Sequence, residues 1–92
     1  MKIIVLGSFS RDIDKVKDKE LKSALDKKIL QIEKAKNISG ITGIKLLRKY
    51  QTHYRINIET TKHAYRAGVI VRNNVMWLVR FCPRKKIYLE FP

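Results

Sequence analysis

Apolar residues in this chain recur with two periods, and the change from one to the other divides it. From Phe9 to Ala35 the period is helical. Phe9, Ile13 and Val16 stand at i, i+4 and i+7. Leu21, Leu25, Ile29 and Ile32 form a second stripe, with Ala24 and Ala35 beside it and charged residues on the other face. This predicts two helices, about residues 9–17 and 19–36, parted only by about Lys17-Asp18. Ser10 is placed to cap the first, and Asp12 falls in its first turn, where the helix dipole favours an acid. So short a link predicts a helical hairpin with both stripes on one sheet. Ahead of it KIIVL, residues 2–6, reads as a short strand whose Lys2 blunts an edge, and Gly7-Ser8 ends it.

From His53 onward the period is two. Tyr54, Ile56 and Ile58 alternate with polar neighbours, which predicts a half-buried strand over 53–59. Further strands are predicted over 63–72 and 75–82, with Thr60-Thr61-Lys62 and Asn73-Asn74 as turns and Pro83 as a stop. The stretch 44–50, IKLLRKY, follows a turn region at 37–42 and reads as a short connection. Register holds a conflict. A strict two-residue loop pairs Arg72 with Val75 and mixes arginine with the Trp77 face, which looks built for the core. A loop one residue longer, or a bulge, pairs Arg72 with Met76. It gathers Arg66, Arg72 and Arg80 on one face, and Tyr65, Val69, Trp77 and Phe81 on the other. The bulged version is the expectation, with the helices on the aromatic face and a basic face left open. The fold class is α+β: a short N-terminal strand, a helical hairpin, an antiparallel sheet and a short C-terminal segment.

Charge sharpens this picture. Residues 34–92 hold 13 bases and 2 acids, a net +11 of the chain's +13. Solubility alone does not require such concentration, so the basic strand region is expected to meet a polyanion or an acidic protein. Arg80, Lys85 and Lys86 belong to that basic run. Apolar content of 45% favours a folded chain over a basic tail, and 92 residues make one domain, 1–92. The lone Cys82 ends an apolar run and reads as packing in a reducing compartment. The apolar run Ile3–Leu6 is too short for a signal core or a span, so a soluble cytoplasmic protein without membrane contact is expected.

Candidate chemistry narrows by residue type. Two histidines and the late carboxylates Glu59 and Glu90 are too few for a two-metal nuclease, and Cys82 with either histidine makes no zinc pattern. Phosphate-cradling and dinucleotide glycine motifs are absent, so no metal or small-molecule cofactor is expected. Cations and phenols remain, and cleavage of RNA suits them. RNA carries its own nucleophile, the 2′-hydroxyl, so catalysis reduces to alignment, phosphorane charge and a proton for the leaving oxygen. Arginine forks match phosphate oxygens, and a tyrosine stacks on a base or moves a proton. Arg55, Arg66, Arg84 and Tyr88 are the natural set. His53 and His63 show no orienting partner and read as turn or surface residues.

In order and spacing, Lys45-Leu46, Tyr54-Arg55-Ile56, Tyr65-Arg66 and Arg84-Lys85-Lys86-Ile87-Tyr88 make the chain resemble the RelE/ParE superfamily of type II toxins. The resemblance spans essentially the whole chain. It implies two helices against an antiparallel-rich sheet and cleavage of mRNA in the ribosomal A site without metal. It also implies inhibition by a cognate, often acidic, antitoxin. Carried over by position, Arg66 matches the arginine at the scissile phosphate, Arg84 the arginine of the terminal motif, and Tyr88 the stacking tyrosine. Arg55 matches a basic position of the first YRI-type strand. Lys45 and Arg48 extend the RNA contact. Asn57 replaces a second lysine and Pro83 a histidine, which leaves the proton-transfer residue unassigned. The same fold also admits a ParE-like inhibitor of DNA gyrase with no nuclease activity, or an inactive module that binds only nucleic acid or antitoxin.

Overall fold

The helical stripes fold as their spacing predicts, but with shifted ends. In the computed structural model, which describes residues 1–92, β1 (Lys2–Val5) leads into α1 (Gly7–Asp14) and α2 (Lys19–Lys34). Helix α1 starts before the expected cap: Ser10 lies inside it, and Leu6 takes the N-cap with no side-chain bond. Tertiary bonds set the start instead. The Leu6 N–H donates to the Leu78 carbonyl (3.0 Å) and the Ser8 hydroxyl to the Val79 carbonyl (2.5 Å), so the chain enters the helix as it leaves β1. Asp12 thereby falls past the first turn and is buried. Asp18 caps α2 by accepting the Leu21 N–H at 2.9 Å. The helix stops short of Lys36 because Ala35, buried against the core, is extended.

Five strands follow the order β1-β5-β4-β3-β2, with β1 parallel to β5 and the other pairs antiparallel. Strands β3 (His53–Glu59), β4 (Ala64–Arg72) and β5 (Val75–Pro83) sit within a residue of expectation. Strand β2 (Ile44–Leu46) occupies the supposed connection, pairing Lys45 with Arg55. Phe9, Leu21, Leu25 and Ile32 from the helices bury against Ile56, Ile58, Ala67, Val69, Met76, Leu78 and Phe81. Full burial of such side chains is worth roughly 1.5–3 kcal/mol each, which makes this face the main source of stability.

The register conflict resolves inside the strand rather than at the turn. Asn73 and Asn74 both take left-handed conformations, φ 50° and 61°, so the loop is a strict two residues and Arg72 pairs with Val75. A bulge follows, where Gly68 pairs with Arg80 but Val69 with Leu78, leaving Val79 extra. Before the bulge Met76 and Leu78 face the helices; after it Phe81 does. Trp77 therefore lies on the opposite face, beside Leu6, Ile70 and Arg72, and not in the main core.

That opposite face is not left fully open. The C-terminal segment is a helix, α3 (Arg84–Glu90), begun where Pro83 ends β5. Ile87, together with Phe91 just beyond the helix, buries with Cys82 in a second, smaller core against Leu47, Ile70 and Val79.

Beyond the end of β1 the edge of β5 loses its strand partner, and Asp12 replaces it. The Asp12 carboxylate accepts the Phe81 N–H (2.9 Å) and two Arg80 guanidinium bonds (2.7 and 3.1 Å), while Arg80 also donates to Glu90 on α3 (2.9 Å). Burial pushes the Asp12 carboxyl up. The Arg80 and Phe81 hydrogen bonds and the Arg80 and Lys15 charges outweigh it, so the group sits below its ordinary value. Its stabilisation is therefore complete above the ordinary carboxylate pKa and is lost as pH falls from there through the lower folded value. Asp12→Asn is expected to lose about 3 kcal/mol at neutral pH, the low end for a broken buried pair because Glu90 still partners Arg80. Chemical denaturation of both proteins across acidic pH checks this: the gap between them should narrow as the medium is acidified.

Candidate functional site

On the face that carries α3, consecutive cross-strand partners run Lys45, Arg55, Gly68 and Arg80 from β2 to β5. The next row pairs Asn57 with Arg66. Gly68 leaves a hollow in this surface, and Phe91 fills it. A Cβ on Gly68 would stand 2.4 Å from Phe91 Cγ, so only glycine permits the approach. His53 flanks the Phe91 ring at 5.5 Å and lies tilted against Tyr50 at 4.9 Å. With Phe91 seated, α3 lays the Tyr88 ring 4.2 Å from the Arg55 guanidinium carbon, a cation–π contact.

Between α3 and strands β2 to β4 lies a cleft of about 230 Å³. Lys45, Arg55, Arg66 and Arg84 supply its charge, with Asn57, Leu47 and Tyr88 completing the wall. No carboxylate lines it. The nearest, Glu59, accepts from Arg66 Nη1 at 3.0 Å and is itself half exposed, while the Arg66 side chain is only 12% exposed. Arg66 Nη1 also donates to the Tyr65 carbonyl at 2.9 Å, which fixes the direction of the fork. The Arg55 Nε is buried with no hydrogen-bond partner. A buried, unpaired guanidinium nitrogen among three further cations is costly unless an anion enters. The titratable groups of the lining are ammonium, guanidinium and one phenol, a set made for anion binding with one candidate for proton transfer.

The cleft thus gathers Arg55, Arg66, Arg84 and Tyr88 with Lys45. It does not include the other basic candidates. Arg80 is held by Asp12 and Glu90, whose hydrogen bonds push its pKa above the ordinary value despite its partial burial. Arg48 and Lys85 are exposed outside the lining, and Lys86 faces a different concavity. Cys82 is buried beneath α3, and burial pushes its thiol up, in keeping with packing. Sequence reasoning missed Gly68 and Phe91, which seat the helix. A glycine amid β-branched residues of a strand was the available signal.

No protein-family model matches the chain, and no curated protein sequence does. Among solved structures it is similar to a chain of the RelB–RelE antitoxin–toxin complex from Methanococcus jannaschii. The TM-score is 0.75 and the identity 22%, over 97% of this chain and 99% of that one. The fold is RelE-like, as the sequence resemblance implies.

The seat of α3 can be tested directly. Gly68→Ala is expected to eject the Phe91 ring at roughly 1–3 kcal/mol of overpacking strain. Trypsin should then cut after Arg84, Lys85 or Lys86 faster than in the parent protein, while the main core, which Gly68 does not join, keeps its far-ultraviolet signal.

Proposed function

We propose that this chain is the toxin of a type II toxin–antitoxin pair and that it cleaves mRNA on translating ribosomes, in the cytoplasm. The observation that carries the reading is the meeting of four cations and one tyrosine in a cleft whose lining holds no acid. The likeness to a chain of an antitoxin–toxin complex supports the class of protein and a protein inhibitor as its partner. An acidic antitoxin suits a chain of net charge +13.

In this reading an RNA phosphate enters among Arg55, Arg66 and Arg84. Arg66, already aimed by Glu59 and the Tyr65 carbonyl, grips two non-bridging oxygens. Tyr88 stacks on a neighbouring base while its own ring stays braced by Arg55. The 2′-oxygen attacks phosphorus, giving up its proton, and the bond to the 5′-oxygen breaks as that oxygen gains one. The products are a 2′,3′-cyclic phosphate and a free 5′-hydroxyl. The arginines stabilise the extra negative charge of the phosphorane, a type of interaction worth about 3–4 kcal/mol per donor. Of the groups lining the cleft, Tyr88 alone combines a hydroxyl with exposure to the substrate.

Arg66→Ala and Arg84→Ala should each slow cleavage by about 10²–10³-fold and relieve growth arrest, with unchanged folding by circular dichroism. Retained toxicity in both variants would overturn the assignment. Tyr88→Phe keeps the ring and removes the hydroxyl. It should preserve RNA affinity yet slow cleavage by about 10²-fold if the phenol moves a proton, as single-turnover kinetics would show. Mapping of RNA 5′ ends after a pulse of expression should find cuts within codons. Intact transcripts with inhibited supercoiling would instead indicate gyrase.

A further inference from the structure

Behind the first turn of α3, on the helix side of the sheet, two concavities of about 180 and 450 Å³ share Lys15, Val16 and Tyr65 and so form one groove. Its floor is aromatic. The Tyr65 ring lies 4.8 Å from Phe81, and His63 stands edge-on to Tyr65 at 5.9 Å. Its rim carries Lys15, Lys17 and Lys86, all exposed and none engaged in the chain's salt bridges. Both carboxylates in the lining already have hydrogen-bond partners, some of them in the groove itself. Asp12 is held by Arg80 and the Phe81 N–H, and Asp18 by the Leu21 N–H and by His63 Nε2 at 3.3 Å. Unpaired cations above a stackable ring are how proteins hold single strands without reading sequence.

The groove meets the catalytic cleft at the end of the sheet. Tyr65 and Arg66 are consecutive on β4; one lines the groove and the other the cleft. Pro83 pairs with Tyr65 at the same end. On the first turn of α3, Arg84 lines the cleft and Lys86 the groove. A strand leaving the cleft beside Arg84 needs only to pass Pro83 to reach Tyr65.

We propose that this groove is a second nucleotide subsite. It holds the single-stranded RNA that runs out of the cleft, with a base on Tyr65 and phosphates among Lys15, Lys17 and Lys86. The proposal rests on the RNA reading of the cleft and extends it from one scissile phosphate to a path. It also accounts for Lys86, which points away from the cleft.

Binding of 2′-O-methyl oligoribonucleotides tests it, because they lack the attacking hydroxyl and report affinity alone. An oligomer of about three nucleotides fills the cleft only, and one of about eight reaches the groove as well. The longer should bind about thirtyfold tighter. The triple variant Lys15→Gln, Lys17→Gln, Lys86→Gln should reduce that gain to the few-fold that extra binding registers supply. It should leave the short oligomer's affinity unchanged, and lower the slope of log affinity against log salt by about 2, near 0.7 for each phosphate lost. Tyr65→Leu, which keeps an apolar side chain over Phe81, should also cut the gain. A gain that survives the lysine variant overturns the proposal, as does a triple variant that loses an acidic peptide but not the longer RNA. The short oligomer reports on the cleft and the length increment on the groove, so the two ideas fail separately.

Discussion

A phenylalanine lying where a strand has no side chain organises the half of this molecule that holds the basic cleft. Phe91 occupies the hollow over Gly68, and no other residue at that position admits the ring. The seat is anchored further by Ile87 and Cys82 and by the Glu90–Arg80 pair. Everything α3 contributes depends on it: Tyr88 beside Arg55 on one side, Arg84 at the cleft mouth, Lys86 at the groove. The main core stabilises the fold, but the smaller core beneath α3 sets the geometry of the charges.

Those charges are arranged against their own stability. Arg55, Arg66, Arg84 and Lys45 repel one another at close quarters, and Arg55 keeps a buried donor unsatisfied. Where the fold needs a cation for structure it pairs it, as Asp12 and Glu90 pair Arg80. One arginine on this face is neutralised, while the cluster is left with a single half-exposed acid. Under the proposed RNA reading, an incoming phosphate would lower that repulsion, so binding and the relief of strain would be one event.

Much of this was legible in the chain. Strict alternation placed β3, β4 and β5 to within a residue, and the helical stripe placed α2. The chemistry of a phosphate grip, arginine forks with a phenol, names Arg55, Arg66, Arg84 and Tyr88 from the sequence, and all four line the cleft. What stayed hidden was short or long-range. Strand β2 is three residues and α3 seven, too brief for a period to declare itself. Arg80 reads as one more exposed base, because the acid that neutralises it stands 68 residues away. The expected bulge exists, but the asparagine pair satisfies the turn by itself and moves the irregularity to Val79.

That displaced irregularity bears on how chain length is allowed to vary. Without Val79, Met76, Leu78 and Phe81 would alternate regularly with Trp77 and Arg80, and every inward residue would stay inward. Loss of any other single residue between Trp77 and Phe81 without closure of the bulge turns part of the strand inside out. Val79 is therefore the position whose deletion leaves the facing of the sheet intact. What its omission removes is local: the carbonyl that receives the Ser8 hydroxyl, and one apolar contact beneath the terminal helix.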